Sequence, residues 1–211
     1  MNFFQKSLVK FVNIFYPYKI FGLENTLDKG AVVCSNHFSM LDLTFIAEIF
    51  DKNTFYLAKK ELFKNKLIAS ILKSYGGISI DRENVEVRTL MKIIKLLKDG
   101  NKVVVFPEGT RNKTNSTDFL PFKGGSMVFA VKSKKPIIPI VISHKARLFK
   151  KTYIQIGESF ELSDFYDKKI TNEEVVSMEN IVLNKMKIVQ QQLYSNISRL
   201  KSKGKKKSDN L

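Results

Sequence analysis

The chain holds a single cysteine, Cys34, in 211 residues. That excludes an internal disulfide framework and a cysteine metal cluster, and it fits a reducing compartment. No uninterrupted apolar run approaches the length of about 20 residues that a membrane-spanning helix needs. Acidic residues are scarce, 20 against 36 basic ones, so the formal net charge is +16 and polyanions are the natural partners. Nucleic acid, an anionic membrane face and an acidic carrier protein all meet that description. Glu24 is the first acidic residue in the chain. Internal repeats are absent.

What is present is a periodic, globular sequence. Hydrophobic residues make up 44% of it, enough for one domain with a sizeable core. Apolar runs at Ala31–Cys34, Thr54–Ala58, Ile78–Ile80, Val103–Phe106, Pro136–Ile142 and Thr152–Ile156 read as strands. Helical patterns lie between them: Leu43–Phe50, Glu61–Tyr75, Val85–Lys98 and Gly124–Lys134, then a long helix opened by a capping box at Thr171-Asn172-Glu173-Glu174 and running toward Leu200. Alternating strands and helices imply an α/β domain around a mostly parallel or mixed sheet. The prolines at 136 and 139 argue against the middle of a fully paired ladder. Asn112 to Asp118 reads as a polar loop without a packing signal.

The two ends differ from the middle. In residues 1–18, Phe4, Leu8, Phe11 and Phe15 form one helical face and Asn2, Lys6, Lys10 and Asn13 the other. A helix of this kind lies in a membrane interface, or it docks on the protein's own core. Lys10 interrupts the apolar run and no small-residue cleavage site follows, which speaks against a cleaved signal peptide. Arg199 to Leu211 carries six basic residues against one Asp and reads as a disordered tail. The expected organisation is an amphipathic, membrane-associating segment over 1–25, the folded domain over 26–200 and the basic tail over 201–211.

Chemistry gathers in three places where an apolar run breaks into polar sequence: Asn36-His37, Asp81-Arg82 and Pro107-Glu108-Gly109-Thr110-Arg111. Sites in such sheets collect at strand ends, so these three are expected to converge. His37 and Asp42 are five residues apart; on one helix they would point about 140° away from each other and could not meet. They meet if His37 lies in the turn before the helix, with Ser39 as N-cap and Asp42 in its first turn. A carboxylate on one imidazole nitrogen fixes the tautomer and frees the other nitrogen as a base. The helix N-terminus there offers N–H groups for a developing negative charge. The plainer alternative is a capped helix preceded by an ordinary turn histidine. His144, without a partner at useful spacing, reads as structural.

Four segments, in order, resemble the glycerolipid acyltransferases. Asn36-His37-Phe38-Ser39-Met40-Leu41-Asp42 matches that family's N-H-x-S-x-x-D block, Gly77 to Arg82 is similar to a block ending in I-D-R, Phe106 to Arg111 is a complete F-P-E-G-T-R, and Pro136 to Ile140 resembles a looser fourth block. The resemblance covers residues 36–140. It implies transfer of a fatty acyl group from an acyl thioester, carried by coenzyme A or acyl carrier protein, to lysophosphatidic acid, giving phosphatidic acid without a metal or other cofactor. A related lysophospholipid or glycerol 3-phosphate is the alternative acceptor. His37 becomes the general base and Asp42 its orienting partner. Arg82, Glu108 and Arg111 form the acceptor site, where a guanidinium fork suits a phosphate. Asn36, Ser39 and Thr110 are counted with the substrate contacts; Gly109 allows close backbone approach, and Lys123 adds to the anion site. An acyl-cysteine route through Cys34 is disfavoured, since a cysteine inside an apolar strand acts as a small core residue. The enzyme would work peripherally or as a monotopic protein at the cytoplasmic face of the cell membrane, where the positive charge serves donor, acceptor and an anionic bilayer. A basic binding module is the reading from another class; no nucleic-acid partner is expected, because the basic residues are spread along the chain without a nucleic-acid fold signature.

Overall fold

The computed structural model describes residues 12–50, 53–81, 86–114, 116–123, 125 and 127–208. Its strands are β1 (Tyr18–Phe21), β2 (Ala31–Ser35), β3 (Thr54–Lys59), β4 (Gly77–Ile80), β5 (Lys102–Val105), β6 (Ile137–Ile142) and β7 (Thr152–Ile156). The helices are α1 (Leu41–Phe50), α2 (Lys66–Ser74), α3 (Val87–Lys98), α4 (Val128–Ser133) and α5 (Asn172–Ser208). All seven strands form one sheet in the order β1-β7-β6-β2-β5-β3-β4. Strands β2 to β6 run parallel, and β7 turns back antiparallel to β6 with β1 parallel beside it. The mostly parallel α/β sheet expected from the alternating pattern is therefore the fold.

Strand periodicity sorts the core onto two faces. Val32, Cys34, Val103 and Val105 point to one, packed with Ile93 and Leu97 of α3, Phe129 of α4 and Met178, Val182 and Met186 of α5. Ala31, Val33, Val104 and Phe106 point to the other, packed with Leu43, Phe45 and Ile46 of α1 and Leu72 of α2. Burial on both faces is why these strands are continuous β-branched runs rather than alternating ones.

Several expected elements differ. The Glu61–Tyr75 segment is two pieces: a 3-10 turn over Lys60–Lys64, then α2, capped by Asn65, whose side chain accepts from the N–H groups of Leu67 (3.0 Å) and Ile68 (3.2 Å). Among the described residues of the Gly124–Lys134 stretch, Val128–Ser133 is helical, and Lys134 closes it in the left-handed region at φ 50°. Residues 18–21, assigned from sequence to an amphipathic segment reaching residue 25, are instead β1, whose aromatic and aliphatic residues pair with β7. The sheet thus begins before residue 26. Phe4, Leu8 and Phe11 lie outside the described residues. At the other end α5 continues to Ser208, past the point where a disordered tail was expected. Pro139 does sit in an interior strand, but the ladder to β7 covers only Ile140–Ile142, followed by an isolated Ile137–Phe160 bridge. Alternation turns the missing Pro139 N–H toward the gap between them, where no ladder bond is lost.

Among the described residues no helix is long and apolar enough to cross a membrane.

Candidate active site

Adjacent parallel strands deliver their polar ends to one edge of the sheet. β2 ends at Ser35 beside β5, which leads into Phe106-Pro107-Glu108, and beside β6, which ends at Ile142. Asn36 continues the β2–β6 ladder with its side chain: its amide nitrogen donates to the Ile142 carbonyl at 2.9 Å and its amide oxygen accepts the Ile142 N–H at 2.8 Å. Both ends of the buried Asn36 amide are therefore engaged in holding the turn.

His37 follows, fixed at both backbone groups. Its N–H donates to Glu108 Oε1 at 2.9 Å and its carbonyl accepts the Asn112 N–H at 2.7 Å. The imidazole stacks on the Phe106 ring at 4.0 Å between centroids and 20° between planes. Nδ1 lies 2.8 Å from Asp42 Oδ2, and 13% of the side chain is exposed. The same carboxylate oxygen accepts the N–H groups of Phe38 (2.6 Å) and Ser39 (2.8 Å). With an anionic acceptor on Nδ1, that nitrogen carries the proton and Nε2 keeps its lone pair. Ser39 Oγ accepts the Leu41 N–H at 3.2 Å, completing the N-cap expected from the spacing. The N–H groups of Phe38, Ser39 and Leu41 are thus engaged within the turn and do not supply the expected donors for a developing charge.

Glu108 is 1% exposed and braces the turn: Oε1 takes the His37 N–H and Oε2 the Leu120 N–H at 3.0 Å. It was expected at the acceptor; the structure makes it a strut between two loops. Burial pushes its carboxyl above the usual range, while the hydrogen bonds from Leu120 and His37 pull the other way. Asn112, part of the loop read as lacking a packing signal, is a second strut. It is 2% exposed, its Oδ1 accepts from the N–H (3.0 Å) and hydroxyl (2.6 Å) of Thr114, and its Nδ2 donates to the Asp118 carbonyl at 3.0 Å. Asn-x-Thr after a strand end was the available signal, an Asx turn.

A cleft of about 170 Å³ opens at His37. Met40, Leu43, Tyr56, Leu57, Ala58, Leu62, Leu72 and Phe106 supply apolar lining; Gly109, Thr110, Arg111 and Lys59 supply polar lining. Gly109 has φ 69°, a conformation costly to residues with a Cβ. Sequence reasoning did not single out Lys59, whose position at the end of β3 is the same signal that pointed to Arg111. Lys123 is exposed and is not part of this lining; its N–H donates to the Pro107 carbonyl at 2.8 Å. Arg82 lies outside the described residues, although β4, which ends at Ile80, runs parallel to β3 toward this edge. Cys34 is fully buried, and burial together with the Glu108 charge pushes its thiol far up, away from the thiolate a nucleophile needs.

A mostly parallel α/β sheet thus carries at its strand ends a histidine paired with a carboxylate, beside a cleft with apolar and cationic lining, the framework of an α/β enzyme domain. The family model described as Acyltransferase matches residues 18–143, and the chain belongs to that family. It is 36% identical over 154 residues to a 1-acyl-sn-glycerol-3-phosphate acyltransferase of Bacillus subtilis, covering 70% of this chain and 75% of that protein. A protein of the same name from Helicobacter pylori is 36% identical over 127 residues, covering 59% and 53% respectively. The crystal structure of the 1-acyl-sn-glycerophosphate (LPA) acyltransferase PlsC from Thermotoga maritima superposes with a TM-score of 0.61 at 26% identity, over 90% of this chain and 80% of that one.

Proposed function

We propose that this enzyme transfers a fatty acyl group from an acyl thioester to the free hydroxyl of lysophosphatidic acid, forming phosphatidic acid. The observation that carries the reading is the 2.8 Å contact between His37 Nδ1 and Asp42 at the mouth of a cleft lined by both aliphatic residues and the cations Lys59 and Arg111. His37 Nε2 takes the hydroxyl proton as the acceptor oxygen attacks the thioester carbonyl. The C–S bond breaks, and the departing sulfur takes the proton back from the imidazolium. A positioned base contributes roughly 10²–10⁴-fold to such a step. The apolar lining suits an acyl chain, and Arg111 and Lys59 suit the acceptor phosphate.

Coenzyme A and acyl carrier protein are both anionic thioester carriers, so the net charge of +16 favours either donor and an anionic bilayer as the working surface, at the cytoplasmic face of the cell membrane. A donor and acceptor screen with the purified chain and lipid vesicles tests the reading. The expected result is fastest transfer to lysophosphatidic acid. Faster transfer to glycerol 3-phosphate or to a lysophospholipid with a neutral head group would reassign the acceptor.

A further inference from the structure

The edge that carries His37 also carries a feature the reaction does not use. After β6 the chain reads Lys145-Ala146-Arg147-Leu148-Phe149-Lys150-Lys151, four basic residues in seven with no acid. Arg147 and Lys150 bridge, with the Lys150 N–H donating to the Arg147 carbonyl at 3.1 Å, so Leu148 and Phe149 form the tip of a tight turn. Both tip side chains face solvent, Leu148 54% and Phe149 67% exposed. Phe149 holds φ 57°, at the turn position where glycine is the usual residue. The turn is nonetheless anchored: the Phe149 N–H donates to the Phe15 carbonyl at 2.7 Å, and the two rings sit 5.8 Å apart. Ile14, next to Phe15, is 68% exposed. The strand preceding the turn ends at Ile142, whose backbone is clamped to Asn36, the residue before His37.

An exposed leucine and phenylalanine on an anchored tip gain nothing in water. A collar of Lys145, Arg147, Lys150 and Lys151 cannot pair with any acid of its own segment. Apolar tips ringed by cations match one environment, the headgroup region of a bilayer rich in anionic lipid, where the tip leaves water and the collar meets phosphates. We propose that the Arg147–Lys150 turn is an interfacial wedge that seats the catalytic edge on an anionic bilayer, a role separate from any played by the N-terminal residues. It rests on the lipid-acceptor reading above, because a lipid substrate must reach His37 from that surface.

The chain contains no tryptophan, so Leu148→Trp places a single fluorophore at the tip. With the full chain and phosphatidylglycerol vesicles, its emission shifts to the blue and is quenched by brominated acyl chains. Phosphatidylcholine vesicles produce a smaller shift. Lys29→Trp, before β2 on the opposite edge, does not respond. Leu148→Ser with Phe149→Asn, which suits a positive φ, weakens co-sedimentation with anionic vesicles about tenfold, while acyl transfer to a short-chain acceptor below its micellar concentration continues at the wild-type rate. An unmoved Leu148→Trp spectrum, absence of vesicle binding by the full chain, or loss of soluble-acceptor activity in the double variant each overturns the wedge. A wild type that binds vesicles through this tip but does not acylate the short-chain acceptor defeats the proposed function and leaves the wedge standing.

Discussion

The Glu108 carboxylate receives the backbone N–H of His37 at 2.9 Å, across 71 residues of sequence. The two ends of adjacent strands are joined through this bond, and the His37 turn takes its position from the F-P-E-G-T-R segment rather than only from its own residues. Glu108→Ala leaves two part-buried N–H groups, of His37 and Leu120, without an acceptor. At about 1–3 kcal/mol for each such group, thermal unfolding should fall by several degrees, with a loss of turnover larger than the loss of substrate affinity. An unchanged melting temperature would show that the strut is dispensable.

Burial raises the Glu108 carboxyl above its ordinary value of 4.5. The folded state therefore holds this proton at a pH where the unfolded state has released it, and folding stability falls as pH rises through that interval. The contribution is fully present below the ordinary carboxyl value and is lost as pH climbs through the raised one. Glu108→Gln removes this titration. Melting curves of the two proteins across mildly acidic to neutral pH should show wild-type stability declining relative to Glu108→Gln; a relative rise would reverse the sign of the shift.

Three donors converge on Asp42 Oδ2: His37 Nδ1 and the N–H groups of Phe38 and Ser39. Asp42→Asn keeps an oxygen in the site but removes the charge and the preference for the proton on Nδ1. Turnover should drop by about 10²–10⁴-fold, with the helix content by circular dichroism preserved. Near-wild-type turnover in a folded Asp42→Asn protein would remove Asp42 from the mechanism.

Cys34 is the fourth of the five residues of β2, with its thiol fully buried. Cys34→Ala trims a small core side chain, costing about 1 kcal/mol of stability, and activity stays within a few-fold of wild type. Acyl transfer abolished in a folded Cys34→Ala protein would instead require a covalent acyl-cysteine.

Arg111 and Lys59 are the cations that line the cleft, and under the proposed function they meet the acceptor phosphate. Arg111→Ala should raise KM for the phosphorylated acceptor by about tenfold or more, the worth of one charge-assisted contact. Arg111→Lys should recover only part of this, because the guanidinium fork is lost. Equal KM values for wild type and Arg111→Ala would place the phosphate elsewhere.

What could be read from the sequence was local chemistry. The His37–Asp42 meeting followed from five-residue spacing and an N-cap serine, both properties of one turn, and the buried strands followed from continuous β-branched runs. What could not be read were partnerships across the sheet. Asn36 and Glu108 sit inside recognisable motifs and were expected at substrate, yet their polar atoms reach backbone groups of Ile142, His37 and Leu120 on neighbouring segments. Asn112 was missed because a polar loop residue shows no sign of burial until the fold closes over it. β1 was absorbed into the N-terminal amphipathic pattern, since four residues pairing at an edge with a strand 134 positions later leave no periodicity of their own.

The most direct measurement compares acyl transfer from a thioester to lysophosphatidic acid by wild type and by His37→Ala, with folding of the variant checked by circular dichroism. The account predicts phosphatidic acid from the wild type and a rate lower by about 10²–10⁴-fold from the folded variant. Equal rates from the two proteins would contradict it.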